Sequence, residues 1–280
     1  MDRLLWLTDI HLNFLQANGV EEFISSVGEE KPDAILIGGD IGEAPTFEGY
    51  LHQFERLEVP IYFVLGNHDF YRGAIHTVRA RAAALTRESR FLKWLPEAGL
   101  VEINADTGLV GHDGWADGRY GNFETSGVIL NDFFLIKELL EGGGPLTTIN
   151  TLGDEAAAYL RTILPTALDR YRRVIVLTHV PPFQEAAWHE GKRSDEDWLP
   201  FFASRASGDA LLEAARGRPD REILVLCGHC HGAGAVDVLP NLRVLTGGAD
   251  YGKPVVERVI EPAKWEEAFP RAPERADTRS

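Results

Sequence analysis

The chain has 280 residues, 44% of them hydrophobic, and 43 acidic against 28 basic side chains give it a formal net charge of −15. That length can bury a large core, and a surface so acidic, with no Lys/Arg block, weighs against nucleic acid as a partner. Two cysteines, Cys227 and Cys230, are too few for a disulfide-stapled domain, and no run approaches the roughly 20 apolar residues of a membrane span. The opening MDRLLWLTDIH interrupts any signal-peptide stretch with Asp9 and His11, so the expectation is a cytoplasmic protein without a membrane partner.

Apolar periodicity then alternates along the chain. Leu4 to Leu7 reads as a strand, Val20, Phe23, Ile24 and Val27 as one face of a helix, and Ala34 to Ile37 as a second strand. Phe47, Leu51, Phe54 and Leu57 form another helical stripe before the strand-like Ile61 to Leu65. This order predicts parallel strands joined by crossover helices. A glycine-rich insert, 111–150, carries one predicted helix, NDFFLIKELL. A helix around 154–171, a strand Val174 to Leu177, a second insert at 180–207, a helix around 208–216 and a strand Ile223 to Leu226 follow. Ala235 to Leu239, Leu242 to Leu245 and Val255 to Ile260 are short runs that suggest antiparallel strands. We read residues 1–260 as a single domain and 261–280, charged and broken by prolines, as a loose tail. Inserts this long and this aromatic are expected beside a functional site.

Five of the strand-like runs end alike. LLWLTDIH delivers Asp9 and His11, AILIGGDIG delivers Asp40, IYFVLGNHD delivers Asn67, His68 and Asp69, VIVLTHVPP delivers His179, and EILVLCGHCH delivers His229 and His231. Ligand sites in open α/β sheets form beyond the carboxyl ends of the strands, which brings such loops to one edge. Imidazole with carboxylate suits first-row transition ions: Mn, Fe or Co first, with Mg, Ni or Zn also open. Two divalent cations ~3.5–4 Å apart need about seven protein ligands with one carboxylate shared, and the strand ends supply enough candidates for that number. Gly39, Gly42, Gly66 and Gly228 border these candidates, where the backbone has to turn sharply.

The motifs DIH, GDIG, GNHD, TH and GHCH, in this order over residues 9–231, resemble the signature of the calcineurin-like metallophosphoesterase superfamily. The resemblance implies an α/β fold: a two-sheet sandwich of mixed parallel and antiparallel strands, flanked by helices in four αββα layers. Carried over position by position, Asp9, His11 and His231 would hold one metal, Asn67, His179 and His229 the other, and Asp40 would bridge them. His68 would assist the leaving group, and Asp69 would orient His68 from behind. The implied activity is hydrolysis of a small or medium phosphorylated substrate, with hydroxide formed between two dications attacking phosphorus in line.

Other residues carry rival readings. Arg72 and Arg119 are candidate phosphate contacts, and His112 opens the glycine-rich insert where it is either loop or substrate-facing. Tyr71, Trp115, Tyr120 and Trp188 anchor their loops or stack on a base; His189 reads as an exposed insert residue. Cys227-Gly-His-Cys230 spells a thiol–disulfide motif, but it ends a strand rather than starting a helix, so Cys227 is read as a buried apolar residue. The alternatives to hydrolysis are a scaffold that keeps the fold without catalysis, or a thiol–disulfide oxidoreductase.

Overall fold

The structure, a computed structural model, describes residues 1–141 and 143–265. Its first half runs β1 (Leu4–Leu7), α1 (Ala17–Glu29), β2 (Ala34–Ile37), α2 (Phe47–Phe54), β3 (Ile61–Phe63), α3 (Ile75–Glu88), β4 (Leu92–Trp94), α4 (Leu95–Ala98), β5 (Val101–Asn104) and β6 (Thr107–His112). The first insert holds α5 (Asp132–Leu135) and α6 (Lys137–Glu141) and leads into α7 (Pro145–Arg170) and β7 (Arg173–Thr178). The second insert holds β8 (Trp188–His189), β9 (Lys192–Arg193) and α8 (Leu199–Phe202). The chain continues through α9 (Arg205–Gly217), β10 (Glu222–Cys227), β11 (Gly234–Leu239), β12 (Leu242–Thr246) and β13 (Arg258–Ile260).

The apolar runs are strands because both of their faces are buried. Leu4 and Trp6 of β1, Leu36 of β2 and Tyr62 of β3 meet Leu109, Ile175, Leu177, Leu224 and Leu226 from the other sheet. The alternate residues Leu5, Leu7, Ile35, Ile37, Ile61 and Phe63 pack outward against α1, α2 and α3. On the second sheet Val174, Val176, Ile223 and Val225 pack outward against α7 and α9. A period-two strand that is apolar on both faces requires a layer on each side, so the layers are helix, sheet, sheet, helix. One sheet is ordered β13-β1-β2-β3-β4 and the other β11-β12-β10-β7-β6-β5, with β8-β9 a separate pair. In the first sheet β1 to β4 are parallel, as are β6, β7, β10 and β12 in the second. The edge strands β13, β11 and β5 run antiparallel to their neighbours.

Four sequence expectations shift. Leu242 to Leu245 lies in β12, which is antiparallel to β11 but parallel to β10, because the chain crosses back over the sheet. NDFFLIKELL is two short helices broken at Ile136, whose backbone is extended (φ −106°, ψ 124°) and pairs with Gly73. Ile136 is fully buried in the main core, so tertiary packing overrides local helix preference. Helix α7 begins at Pro145, inside the expected insert, with its fixed φ suited to a first turn. Of the expected tail, Pro262 and Trp265 are buried, Trp265 in the cluster between the sheets; residues 266–280 lie outside the described residues.

The two inserts close into one cap. The Asp117, Gly118 and Asn122 N–H groups donate to the carbonyls of Ala203, Pro200 and Glu196, and Phe123, Val128, Leu130 and Phe133 pack on Leu199, Phe201 and Phe202. Glu138 ties the first insert to the body: its carboxylate accepts the Ile75 N–H (2.9 Å) at the start of α3 and pairs with the His76 ring (3.1 Å).

Candidate metal centre

Beyond the carboxyl ends of β1, β2, β3, β7 and β10 the chain turns sharply. Asp9, His11, Asp40, His229 and His231 all adopt left-handed backbone, with φ of 50°, 40°, 52°, 71° and 58°. That conformation costs a non-glycine residue on the order of 1 kcal/mol or more, and strain of this kind gathers where side-chain aim matters. The turns also need room: a Cβ on Gly66 would collide with the Asp40 carboxylate, and one on Gly228 with that of Asp9. Backbone bonds lock the loops together, with the His11 N–H donating to the Asp40 carbonyl (2.9 Å) and the Gly228 N–H to that of His179 (2.8 Å).

The tautomers follow from the hydrogen bonds. His179 Nδ1–H donates to the Gly38 carbonyl and His229 Nε2–H to the Phe201 carbonyl, both at 2.8 Å. His179 Nε2 and His229 Nδ1 are therefore lone pairs; they lie 3.2 Å apart and 3.1 and 3.0 Å from Asn67 Oδ1. Asn67 turns its amide N–H outward to Asp132 (2.8 Å), so three acceptors converge with no hydrogen between them. A second group adjoins it. His11 Nε2 and His231 Nε2 are 3.1 Å apart, and His231 Nε2 is 3.5 Å from Asp9 Oδ1. One donor atom from each of Asp9, His11, Asp40 and His231 lies within 4.8 Å of the others. Asp40 faces both groups, with Oδ1 3.5 Å from His179 Nε2 and Oδ2 3.6 Å from His11 Nε2.

Charge makes the same demand. Asp9, Asp40, Asp69 and Asp132 are all buried, and no Lys or Arg lines the cleft among the described residues. Burial first, then Asp9 and Asp69, push the Asp40 carboxyl well above its usual range. Burial likewise drives His11 down to about 2 and His229 to about 3, so both rings are neutral and ready to coordinate. Acceptors packed together around unbalanced carboxylates fit divalent metal ions.

The structure places Asp69 against the backbone rather than behind the His68 ring. The Asp69 carboxylate accepts the backbone N–H groups of Ile41 (3.0 Å), Gly42 (2.9 Å) and Gly66 (2.9 Å), so it clamps the β2 and β3 loops rather than the His68 ring. His68 stands at the cleft with Nε2 4.0 Å from Asp40 Oδ2, its ring stacked on Tyr71 at 4.3 Å and edge-on to His11 at 4.7 Å. Burial lowers its pKa to about 3, which makes it a neutral N–H donor at pH 7.

The cleft above these residues encloses about 300 Å³. Three candidate substrate contacts lie elsewhere. The Arg72 guanidinium pairs with Glu43, and Arg119 is held by Asp117 (3.1 Å) and Asp154 (2.8 Å) in another groove. His112 is buried at the end of β6, where Nδ1 accepts the Gly114 N–H and the ring packs on Tyr159. Nearby carboxylates claim both arginines, and a strand end buries the histidine. Of the four aromatic candidates only Tyr71 lines the cleft. Sequence reasoning missed Asp132, Tyr251, Trp198, Phe202 and His189, all of which do; His189 donates from Nδ1 to the Cys230 carbonyl (2.9 Å). The cysteines are buried, with burial lifting the Cys227 thiol to about 12, which is inert.

The calcineurin-like phosphoesterase family model matches residues 2–233. A probable cyclic nucleotide phosphodiesterase of Pseudoalteromonas sp. (strain SM9913) is 30% identical over 82 residues, which cover 24% of this chain and only 31% of that protein. A dimetal phosphatase from Danio rerio superposes with a TM-score of 0.55 at 13% identity, over 91% of this chain and 88% of that one. The protein TT1561 of Thermus thermophilus gives 0.53 at 14% identity over 88% of this chain and 89% of that one. A putative 5'-nucleotidase from Staphylococcus aureus gives 0.51 at 13% identity over 88% of this chain and 48% of that one. These structural likenesses are likenesses of fold.

Proposed function

The chain belongs to the calcineurin-like phosphoesterase family, and from that premise we propose that it hydrolyses phosphodiesters with two divalent cations, Mn, Fe or Co. The observation that carries this reading is the convergence of Asn67 Oδ1, His179 Nε2 and His229 Nδ1, three lone pairs within 3.2 Å whose protons are committed elsewhere. Asn67, His179 and His229 would hold one cation, Asp9, His11 and His231 the other, with Asp40 between them. Bound there, the cations would neutralise phosphoryl oxygens and acidify a water. His68, a neutral imidazole beside Asp40, offers its N–H to the departing oxygen.

The preference for a diester rests on what lines the cleft. A phosphomonoester dianion calls for further positive charge, yet the described lining contains no Lys or Arg. A diester has one negative charge and two organic arms. Apolar side chains stand ready for such arms: Phe14 and Tyr251, 53% and 49% exposed and 4.6 Å apart, and on the cleft lining Ile129, 73% exposed, with the half-buried Trp198 stacked at 5.0 Å on the buried Phe202. Exposed apolar side chains clustered around a polar centre mark a binding surface. The probable cyclic nucleotide phosphodiesterase among the relatives supports the same class.

The test compares bis-para-nitrophenyl phosphate with para-nitrophenyl phosphate after loading with manganese, cobalt or iron. We expect kcat/KM for the diester to exceed that for the monoester at least tenfold, and Asp40→Ala to abolish both. A monoester preference would overturn the diester assignment. A chain that takes up no metal and turns over neither substrate would be a scaffold.

A further inference from the structure

Asp132 sits on α5, in the cap, and the metal centre as described does not use it. Yet it is buried, 6% exposed, and lines the cleft. Its Oδ1 accepts two hydrogen bonds: from Asn67 Nδ2 at 2.8 Å and from the Tyr71 hydroxyl at 2.7 Å. Asn67 and Tyr71 are neighbours in their own right, with Nδ2 3.4 Å from the hydroxyl oxygen. One carboxylate oxygen therefore touches a candidate metal ligand and the ring on which His68 stacks.

We propose that Asp132 is a positioning residue through which the cap fixes the Asn67 amide with its oxygen toward the metals, and holds Tyr71 as the platform for His68. An amide is nearly symmetric in shape, so packing alone does not decide which end points inward. A carboxylate oxygen does decide it, because Asp132 Oδ1 accepts from both Asn67 and the Tyr71 hydroxyl: it takes the N–H end of Asn67 and leaves the Asn67 Oδ1 beside His179 and His229. Without Asp132 the amide can turn its N–H groups to the two imidazole lone pairs, an arrangement that satisfies hydrogen bonding and excludes a cation. The Asp132 contact thereby selects the coordinating orientation over the non-coordinating one.

The second branch acts at a distance. The Tyr71 ring lies 4.3 Å from that of His68, with an angle of 27° between planes, and its hydroxyl has Asp132 as acceptor. Helix α5 reaches this point because the Leu135 carbonyl accepts the Arg72 N–H (2.7 Å) and Ile136 pairs with Gly73, two residues after Tyr71. The cap and the loop that carries Asn67, His68 and Tyr71 are thus joined at backbone and side chain together. The inference rests on the two-cation reading above.

The experiment titrates metal-free protein with manganese by calorimetry and follows with bis-para-nitrophenyl phosphate kinetics and thermal unfolding. Wild type is expected to bind two ions per chain. Asp132→Ala and the size-matched Asp132→Leu should weaken one of the two about 10- to 100-fold, the usual effect of removing a group that orients a ligand, and leave the other within about threefold. Asp132→Asn keeps the shape but can present either its oxygen or its N–H to Asn67, so it should recover the affinity only in part. Tyr71→Phe should lower kcat while both ions bind as in wild type. If Asp132 merely holds the cap folded, Ala and Leu will lower the melting temperature with manganese affinity unmoved, and the proposal is overturned. It is overturned equally if Asn binds manganese as tightly as wild type, because the Asn67 orientation would then need no acceptor-only partner. Wild type that binds no manganese would remove the two-cation reading itself, and this inference with it.

Discussion

Removing the Asp69 carboxylate separates a clamp from a catalytic helper. Its two oxygens accept three backbone N–H groups, from Ile41, Gly42 and Gly66, at 2.9 to 3.0 Å, and the residue is fully buried. Those donors flank Asp40 and Asn67, so the carboxylate sets the spacing of two candidate ligands. Asp69→Ala leaves three buried donors without a partner. At about 1–3 kcal/mol for each stranded group, and with water entering the vacated space to recover part of it, the net loss should be about 3–5 kcal/mol. Asp69→Asn can keep the pair of bonds at one oxygen but turns an N–H toward that of Gly66, so it should cost about 1–3 kcal/mol. Urea unfolding of metal-free protein, followed by tryptophan fluorescence, measures both. Residual activity should track retained metal, and the pH dependence of kcat should keep its shape, because the Asp69 carboxylate is spent on the backbone. Asn within about 0.5 kcal/mol of wild type, with a displaced pH–rate profile, would refute this reasoning and return Asp69 to the role of steering His68.

Glycine gives a paired expectation. Gly228→Ala should lose bound manganese after dialysis, measured by elemental analysis, because its Cβ meets the Asp9 carboxylate; Gly49→Ala, in α2 with open space around it, should instead stabilise the fold by about 0.5–1 kcal/mol. Glu138 provides a pH test away from the metals. Burial raises its carboxyl, but the N–H groups of Ile75 and His76 and the His76 ring outweigh this and hold it below 4.5. A depressed folded pKa stabilises above the unfolded value, and that stability is lost as pH falls through the folded one. Glu138→Gln should therefore cost about 1 kcal/mol at pH 7 in urea unfolding, and the difference from wild type should shrink steadily as the pH drops below 4.5. Arg72→Gln and Arg119→Gln should each leave KM for bis-para-nitrophenyl phosphate within about twofold, since their partners are Glu43, Asp117 and Asp154; a tenfold rise would make that arginine a substrate contact.

What could be read from the sequence was whatever is encoded locally. Leu4 to Leu7 and Ala34 to Ile37 are strands to the residue, because an apolar run bounded by turn signals leaves a two-sided sheet few alternatives. The strand-end residues were legible for a related reason: parallel strands deliver their carboxyl ends to one edge whatever the intervening sequence does. The misread parts depend on contacts between distant segments. Ile136 looks helical among its neighbours, and only its pairing with Gly73 and its burial in the core open the backbone there. Arg72 and Arg119 looked free because sequence spacing does not reveal a carboxylate that claims a guanidinium across a fold. The resemblance implied that Asp69 orients His68, but the backbone N–H groups of the β2 loop and of its own loop take the carboxylate instead. Asp132 is the extreme case. It lies 65 residues from Asn67, within a four-residue helix whose composition carries no functional signal. Its reach to Asn67 exists only because the break at Ile136 turns α5 onto the Tyr71–Gly73 segment. The irregularity that defeated the helix reading is therefore the feature that brings the cap to the metal centre.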